Sequence, residues 1–495
     1  MDCEVAVVGG GIGGLTVAAL LAERGVDVCL LERESRVGGC AANFEKFDYS
    51  FEQGYGLYAS WQPNEIHARV FSELPVEPPE TRFLEPSYIV RLPDQSEVAL
   101  ISNTEKFEEN LRSVFPECSA EAVEFYRRLV EVGAALRRTF QHTPDILTSS
   151  EAQQANTLLR EDRISAEIIG APQQTTADRL QAVSQRFRGF VDVQLQALAQ
   201  APSSVVGYLP AALALTAPLE GMFAIRGGAG ALADRLAESI TQSGGRVRLD
   251  APVLRLAYDS AGQARGLDLL SGETLTASRA IISNLTVWDT YGKLIGLNRT
   301  PSVIRQQLKT LHSWGAYLLY LAMDEDAAER IGSDHILALT EWSGEGQYDP
   351  ERQHLMFAAA PAWDSRAPLG KRAVTVHAFT EVDDWFTFHT DETELEAKDQ
   401  TMLEQCWQRL HSAIPELGSS IEVIDTATPR TFYDLTRRRL GMVGSVAPAL
   451  PGSQSLPGYV TSLPNVFLIS DTTSPGGLAS LTQAALVLAN HLTNR

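Results

Sequence analysis

Gly9, Gly11 and Gly14 near the start of the chain satisfy G-x-G-x-x-G, with Gly13 in the same loop. A carboxylate, Glu32, follows eighteen residues after Gly14. Residues of these types at this spacing are suited to holding a dinucleotide. Gly9 permits a tight turn. Gly11 lacks the Cβ that would keep backbone away from a pyrophosphate, and Gly14 lets a helix pack closely on a strand. The free N–H groups and positive dipole end of the following helix meet the phosphates. Glu32 would accept the hydroxyls of an adenosine ribose and repel a 2′-phosphate, which favours FAD or NAD over NADP. The competing reading is a glycine-rich turn that binds nothing.

The elements that must position these residues are legible around them. Residues 5–8 (V-A-V-V) form a short apolar run, the pattern of a strand buried on both faces. Residues 15–24 read as a helix rich in Ala and Leu, stopped by Gly25, and 26–31 as a second strand ending at Glu32. Further along, F-A-I-R-G-G at 223–228 precedes a helix with Leu232, Leu236 and Ile240 on one face. Strands are predicted at 246–249, 252–258, 266–270 and 280–282, separated by glycine turns. Residues 465–471 read as a third buried strand ending in Asp471, followed by a Gly-Pro turn and an apolar helix at 479–492. The carboxylate of Asp471 and that helix N-terminus face one point, which assigns Asp471 to cofactor oxygens, with an ordinary helix cap as the alternative.

The chain has 495 residues, 44% hydrophobic and 21% charged, which predicts a globular protein of more than one domain. Its net charge of −21 opposes nucleic-acid binding and non-specific docking on anionic lipid. Five widely spaced cysteines without a CxxC pair argue against a disulfide framework or zinc site and fit a reducing compartment. The histidines show no HxxxH or HExxH spacing, so no metal is expected. Without a basic leader or a long unbroken apolar run, the expected location is cytoplasmic.

Several blocks spread along the chain carry a resemblance: V-V-G-G-G-I-G-G-L at 7–15, G-G-C-A-A-N-F at 38–44, F-D-Y-S-F-E-Q-G at 47–54, F-A-I-R-G-G-A-G-A-L at 223–232, I-I-S-N at 281–284, T-P-R-T at 428–431 and S-D-T-T-S-P-G-G at 470–477. Together they resemble the phytoene desaturase, carotenoid isomerase and retinol saturase family of FAD-dependent oxidoreductases. The resemblance implies FAD, held by Gly9, Gly11, Gly13, Gly14, Glu32, Arg33, Gly38 and Gly39. It implies that Val253 presents a backbone amide to the adenine and that Asp471 binds ribitol or pyrophosphate oxygens. The amides of Gly477 and Leu478 would then face the negative charge of a reduced flavin. The implied fold is α/β, a Rossmann-type FAD-binding domain (glutathione-reductase-like and amine-oxidase-like) with an inserted mixed α+β substrate domain. Segments 1–75, 218–290 and 428–495 are assigned to the first, and 76–217 and 291–427 to the second. Within the inserts, 76–217 reads as mainly helical. Strands at 316–322, 355–359 and 373–379 and a helix at 394–414 predict a sheet over the flavin, covered by helices.

The implied activity is that of an FAD-dependent oxidoreductase or isomerase acting on C=C bonds of an apolar polyene, carotenoid- or retinoid-like, or a related unsaturated lipid. A flavin amine oxidase is the alternative; a prenyl-binding escort protein shares the architecture but loses the glycine fingerprint. Chemistry of this kind asks side chains mainly to hold a bond against the cofactor. No catalytic base is legible. Glu52, where the family commonly has Asp, is a candidate for a proton role, with a hydrogen-bond partner behind the flavin as the alternative. Cys40 reads as a small packed residue that could touch the cofactor. The Arg437-Arg438-Arg439 run reads as a solvated face, or as a contact for phosphates or lipid headgroups. The apolar stretch 205–219 is either an entrance gate with peripheral membrane contact or a buried core helix.

Overall fold

The computed structural model describes residues 2–142, 174–344, 347–386, 392–445, 459–474 and 476–494. Part of the 76–217 insert and Pro475 of the last motif therefore lie outside the described residues.

The strand Asp2–Val8 is buried because both of its edges and both of its faces are covered. It runs parallel to Val28–Leu31 on one side and to Thr274–Ser283 on the other, with Val5 opposite Val28 and Val8 opposite Ser283. Arg246–Arg248 adds to Val28–Leu31, and Val466–Leu468 pairs in parallel with the end of Thr274–Ser283. The start of Thr274–Ser283 instead pairs antiparallel with Ala264–Leu269, which pairs with Val253–Tyr258. One seven-stranded sheet thus draws strands from three distant parts of the chain. The helix Ile12–Glu23 follows the glycine loop and is buried from Ile12 to Ala22. Its small residues pack against the last helix, Gly477–Thr493, in one core with Gly228–Gln242.

A second seven-stranded sheet runs in the order Ile421–Ala427, Gly315–Asp324, Lys371–Thr380, His354–Ala359, His335–Leu339, Tyr88–Arg91, Glu97–Leu100. Leu355, Phe357, Val374 and Val376 on one face pack under the helix Glu392–Ala413. Leu337, Leu339 and Met356 on the other face join a core with the helices Thr104–Val114, Ser119–His142, Gln185–Ala199 and Tyr208–Glu220. The predicted strands at 316–322, 355–359 and 373–379 lie within this sheet. Four of its strands escaped sequence reading, two of them in the 291–427 insert. His335–Leu339 is buried at every position, so it lacks the alternation that marks a half-exposed strand, and Ile421–Ala427 is largely half-buried at the sheet edge. The first part of the 76–217 insert also departs from the mainly helical expectation. Thr81–Leu84, Tyr88–Arg91 and Glu97–Leu100 are strands, each of four residues, too short for periodicity to reveal.

Candidate functional site

The two sheets enclose a cavity of about 1460 Å³. Small-molecule pockets typically measure about 300–1,000 Å³, so this one has room for more than a single ligand. Its floor is the glycine loop. Gly9 has a positive φ of 99° at the turn, and the Gly38 N–H donates to the Gly10 carbonyl at 2.8 Å, clasping the loop. Gly11 is the N-cap of the Ile12–Glu23 helix, and no side chain caps that end. The first N–H groups of the helix therefore have no intrahelical acceptor and open onto the cavity beside Gly9, Gly11 and Gly13. Gly14 does not line the cavity; a Cβ there would stand 2.4 Å from the Gly9 carbonyl oxygen, so its role is close packing.

Glu32 is 9% exposed and lines the cavity. It accepts from the N–H of Gly10 at 2.7 Å and of Glu34 at 2.9 Å, which bind the carboxylate to the loop and leave further lone pairs for a ligand. Arg33, Gly38, Gly39, Val253, Asp471, Gly477 and Leu478 line the same cavity. Arg33 lies at its exposed rim and donates to the carbonyls of Asp434 and Leu435. Gly476, with φ 108°, caps the helix Gly477–Thr493 without a side chain, so a second helix N-terminus opens here. Two uncapped helix ends, loop glycines at the wall and a carboxylate brace form a cradle that fits a dinucleotide pyrophosphate and ribose.

Two residues of this cradle were not assigned from sequence. Asn284 donates from Nδ2 to the Ile469 carbonyl at 2.6 Å, and its Oδ1 would lie 2.6 Å from a Cβ at Gly11, so it ties the glycine loop to the C-terminal strand. Arg438 belongs to the arginine run read above as a solvated face, or as a contact for phosphates or lipid headgroups. Its side chain is instead only 13% exposed and lines the cavity. It donates to both carboxylate oxygens of Asp471, at 3.1 and 2.9 Å, and to the Met442 carbonyl at 2.6 Å. Burial disfavours its charge, but the surrounding acidic groups, Asp471 foremost, together hold the guanidinium above its ordinary pKa. Burial pushes the neighbouring Cys40 thiol up, against the Arg438 charge, so Cys40 stands there as a neutral thiol.

Glu52 is placed elsewhere. It does not line the large cavity and borders a small separate void beside His335 and Arg366. One oxygen accepts from the Ala229 N–H at 3.0 Å and the other from Arg366 at 3.1 Å, and Arg366 also pairs with Asp364 at 2.7 Å. Burial raises the Glu52 pKa, opposed by the Arg366 charge. These partners make Glu52 a buried brace for the start of the Gly228–Gln242 helix.

Away from the glycine cradle the cavity becomes apolar. Leu198, Leu209, Leu213, Ala217 and Met222 line it, together with Phe379 from the second sheet. The stretch 205–219 contributes Leu209, Pro210, Leu213, Ala214 and Ala217 to the cavity wall. No described helix is long and apolar enough to cross a membrane. Among the described residues no cluster of His, Cys, Asp or Glu could hold a metal ion.

Comparison with known proteins adds the following. The model of the family described as flavin containing amine oxidoreductase matches residues 12–487. The all-trans-retinol 13,14-reductase of Danio rerio is 25% identical, covering 100% of this chain and 86% of its own length. The chloroplastic prolycopene isomerase of Daucus carota is 23% identical, covering 96% of this chain and 77% of its own. Among solved structures, an oxidoreductase from Methanosarcina mazei superposes with a TM-score of 0.65 at 16% identity over 99% of both chains. The cyclohexylamine oxidase of Brevibacterium oxydans gives 0.63 at 16% identity over 100% of this chain and 99% of its own. These two structures share the fold.

Proposed function

The chain belongs to the flavin containing amine oxidoreductase family, and from that premise we propose that it is an FAD-dependent enzyme acting on C=C bonds of an apolar polyene, carotenoid- or retinoid-like. The single observation that carries this reading is the cavity itself: the dinucleotide cradle opens without interruption into an apolar limb walled by Leu198, Leu209, Leu213 and Met222. The residue types suit a long ligand without charge, for which the overall charge of −21 matters little. Relatives named for retinol reduction and prolycopene isomerisation support the substrate class.

We assign the pyrophosphate to the N–H groups after Gly11 and the ribose to Glu32, with Gly9, Gly13, Gly38, Gly39, Arg33, Val253, Gly477 and Leu478 completing the cofactor contacts. Asp471, held by Arg438, is assigned to cofactor hydroxyls. The strands contributed to one sheet by 2–8, 246–283 and 466–468 support the proposed division into a cofactor domain (1–75, 218–290, 428–495) and a substrate domain (76–217, 291–427). When bound, FAD supplies hydride transfer. The chain's part is to hold the polyene in the apolar limb, exclude water and fix the bond against the cofactor.

An amine substrate fits less well. Trp288, Trp314 and Trp385 do not line the cavity; Trp288 donates to the Leu308 carbonyl and Trp385 packs under the second sheet. Among the described residues the cavity holds one lysine, Lys293, and Asp289 holds it at 2.7 Å. The test is Leu213→Asp, which puts a charge on the apolar wall. FAD content should remain at the wild-type level while polyene binding weakens by at least tenfold; unchanged polyene binding would count against the apolar limb as substrate site.

A further inference from the structure

The small void beside Glu52 measures about 20 Å³, and Gly56, His335, Arg366 and Thr375 also border it. A water molecule needs about 10–15 Å³, whereas small-molecule pockets begin at about 300 Å³. The void therefore takes water and nothing much larger. Apolar voids of this size stay dry, while a polar one with two or more partners holds a water. The groups around the void decide between the two cases.

Two polar atoms face the same spot in it. Gly56 has a positive φ of 69° and leaves out a side chain; a Cβ there would stand 3.0 Å from His335 Nε2 and 3.3 Å from Glu52 Oε2. The imidazole presents its nitrogen to this spot, since Cδ2 lies farther off at 3.9 Å. His335 is buried, and its hydrogen bonds with Ser333 run through its backbone. Among the described residues its ring nitrogens have no partner. The Nε2 atoms of His67, His354 and His377 are sealed off from any space, but His335 borders the void and its Nε2 is not sealed. Glu52 Oε2 accepts from Arg366 and has a second lone pair to offer. The Thr375 hydroxyl is already spent on the Glu52 carbonyl, at 2.9 Å. Buried polar groups are as a rule hydrogen-bonded, so a void faced by an unpaired ring nitrogen and a carboxylate oxygen points to what fills it.

We infer that the void is a binding site for an ordered water molecule that bridges His335 and Glu52 in the space Gly56 leaves open. The water donates one O–H to Glu52 Oε2 and accepts from, or donates to, His335 Nε2, so it satisfies either tautomer of the ring. The bridge joins three parts of the molecule. His335 begins a strand of the second sheet, and Glu52 holds the start of the Gly228–Gln242 helix through the Ala229 N–H. Gln53, Gly54, Tyr55 and Leu57, from the segment between them, line the large cavity, so the water backs part of its wall. The site lies outside the cofactor and substrate cavity and does not depend on the polyene reading.

The test is a crystal structure of the full chain, at a resolution that shows ordered water, for the wild type, Glu52→Gln and His335→Leu. Density for a water within hydrogen-bond distance of His335 Nε2 and Glu52 Oε2 is expected in the wild type. It should persist in Glu52→Gln, which keeps an acceptor, and vanish in His335→Leu. An empty void in the wild type, or a direct bond between His335 and Glu52, would overturn the inference, and this result stands even where a variant fails to fold. A water kept unchanged in His335→Leu would overturn it as well. A solution measurement accompanies the crystals. Gly56→Ala puts a methyl group between the two partners and should expel the water, lowering the melting temperature more than Gly332→Ala does. Gly332 has nearly the same φ, 70°, but a Cβ there meets nothing within 4 Å, so it isolates the backbone strain. Equal shifts in the two variants would count against a filled site.

Discussion

Gly14→Ala places a methyl group where the fold has no room for one. The added Cβ would lie 2.4 Å from the Gly9 carbonyl oxygen and 2.9 Å from the Asn284 Cβ. Neither is the far end of a flexible side chain, and Asn284 is itself fastened to the Ile469 carbonyl. The Ile12–Glu23 helix must therefore retreat by about 1 Å to reach normal van der Waals separation. Overpacking of this kind costs about 1–3 kcal/mol of stability. The same retreat draws the first N–H groups of the helix away from the phosphates. Losing one hydrogen bond to a charged group costs about 1.5–3 kcal/mol, which at 1.4 kcal/mol per decade means FAD affinity lower by about 10- to 100-fold. Titrating the apoprotein with FAD by flavin fluorescence measures the affinity, and thermal unfolding without FAD measures the packing cost. Gly292→Ala is the control: a Cβ there meets nothing within 4 Å and the backbone is not in the positive-φ region, so it should behave as wild type. Wild-type FAD affinity in Gly14→Ala would refute the close-packing argument and the placing of phosphate at this helix end.

Three further outcomes follow from the geometry. Arg438→Met leaves the Asp471 carboxylate without its cation beside the phosphates and should weaken FAD binding by at least tenfold, with partial recovery when Asp471→Asn is added to the same chain; additive losses in that double variant would speak against the pairing. Glu52→Ala removes one of the two carboxylates that pair with the buried Arg366 guanidinium, leaving Asp364, and should cost about 1–3 kcal/mol of stability, while turnover per FAD-loaded molecule stays near wild type; a collapse of turnover with unchanged melting temperature would point to a proton role for this residue. His67, His335, His354 and His377 are held neutral by burial, each with its pKa lowered to about 3, against about 6.5 in an unfolded chain. Between those values only the unfolded chain takes up the protons, so stability present above about pH 6.5 is lost as pH falls toward 3, by up to about 1.4 kcal/mol per pH unit for each histidine. Urea midpoints at pH 7.5 and 5.5 should differ accordingly, and equal midpoints would show that these rings are not buried neutral.

The cradle was largely legible in the sequence because backbone needs write themselves as glycine. Gly9 needs a positive φ, Gly11 and Gly13 line the wall, and Gly14 must clear the Gly9 carbonyl, so their types and spacing carry the geometry directly. Asp471 was legible from its place at the end of an apolar strand. Its partner was not: three consecutive arginines read as a solvated face, with a phosphate or headgroup contact as the alternative, and the carboxylate that holds the middle one lies 33 positions away. Glu52 looked chemical because it is an acid near a cofactor motif, but the residue that claims it, Arg366, lies 314 positions away. His377 carries no motif at all, and its place on the sheet depends on which face of a ten-residue strand meets the covering helix, both faces of that strand being buried. The strand His335–Leu339 was hidden for the same reason.

The central claim, that this family fold couples FAD to an apolar polyene, is tested most directly by anaerobic single-turnover spectroscopy. FAD-loaded enzyme, oxidised or chemically reduced, is mixed with a polyene or with a primary amine, and flavin absorbance near 450 nm is followed together with the polyene bands. The account predicts a shift or loss of polyene bands with polyene, accompanied by flavin absorbance change where net redox occurs, and no flavin bleaching with amines. Unchanged polyene bands in both redox states, together with rapid bleaching by an amine, would contradict it and identify an amine oxidase.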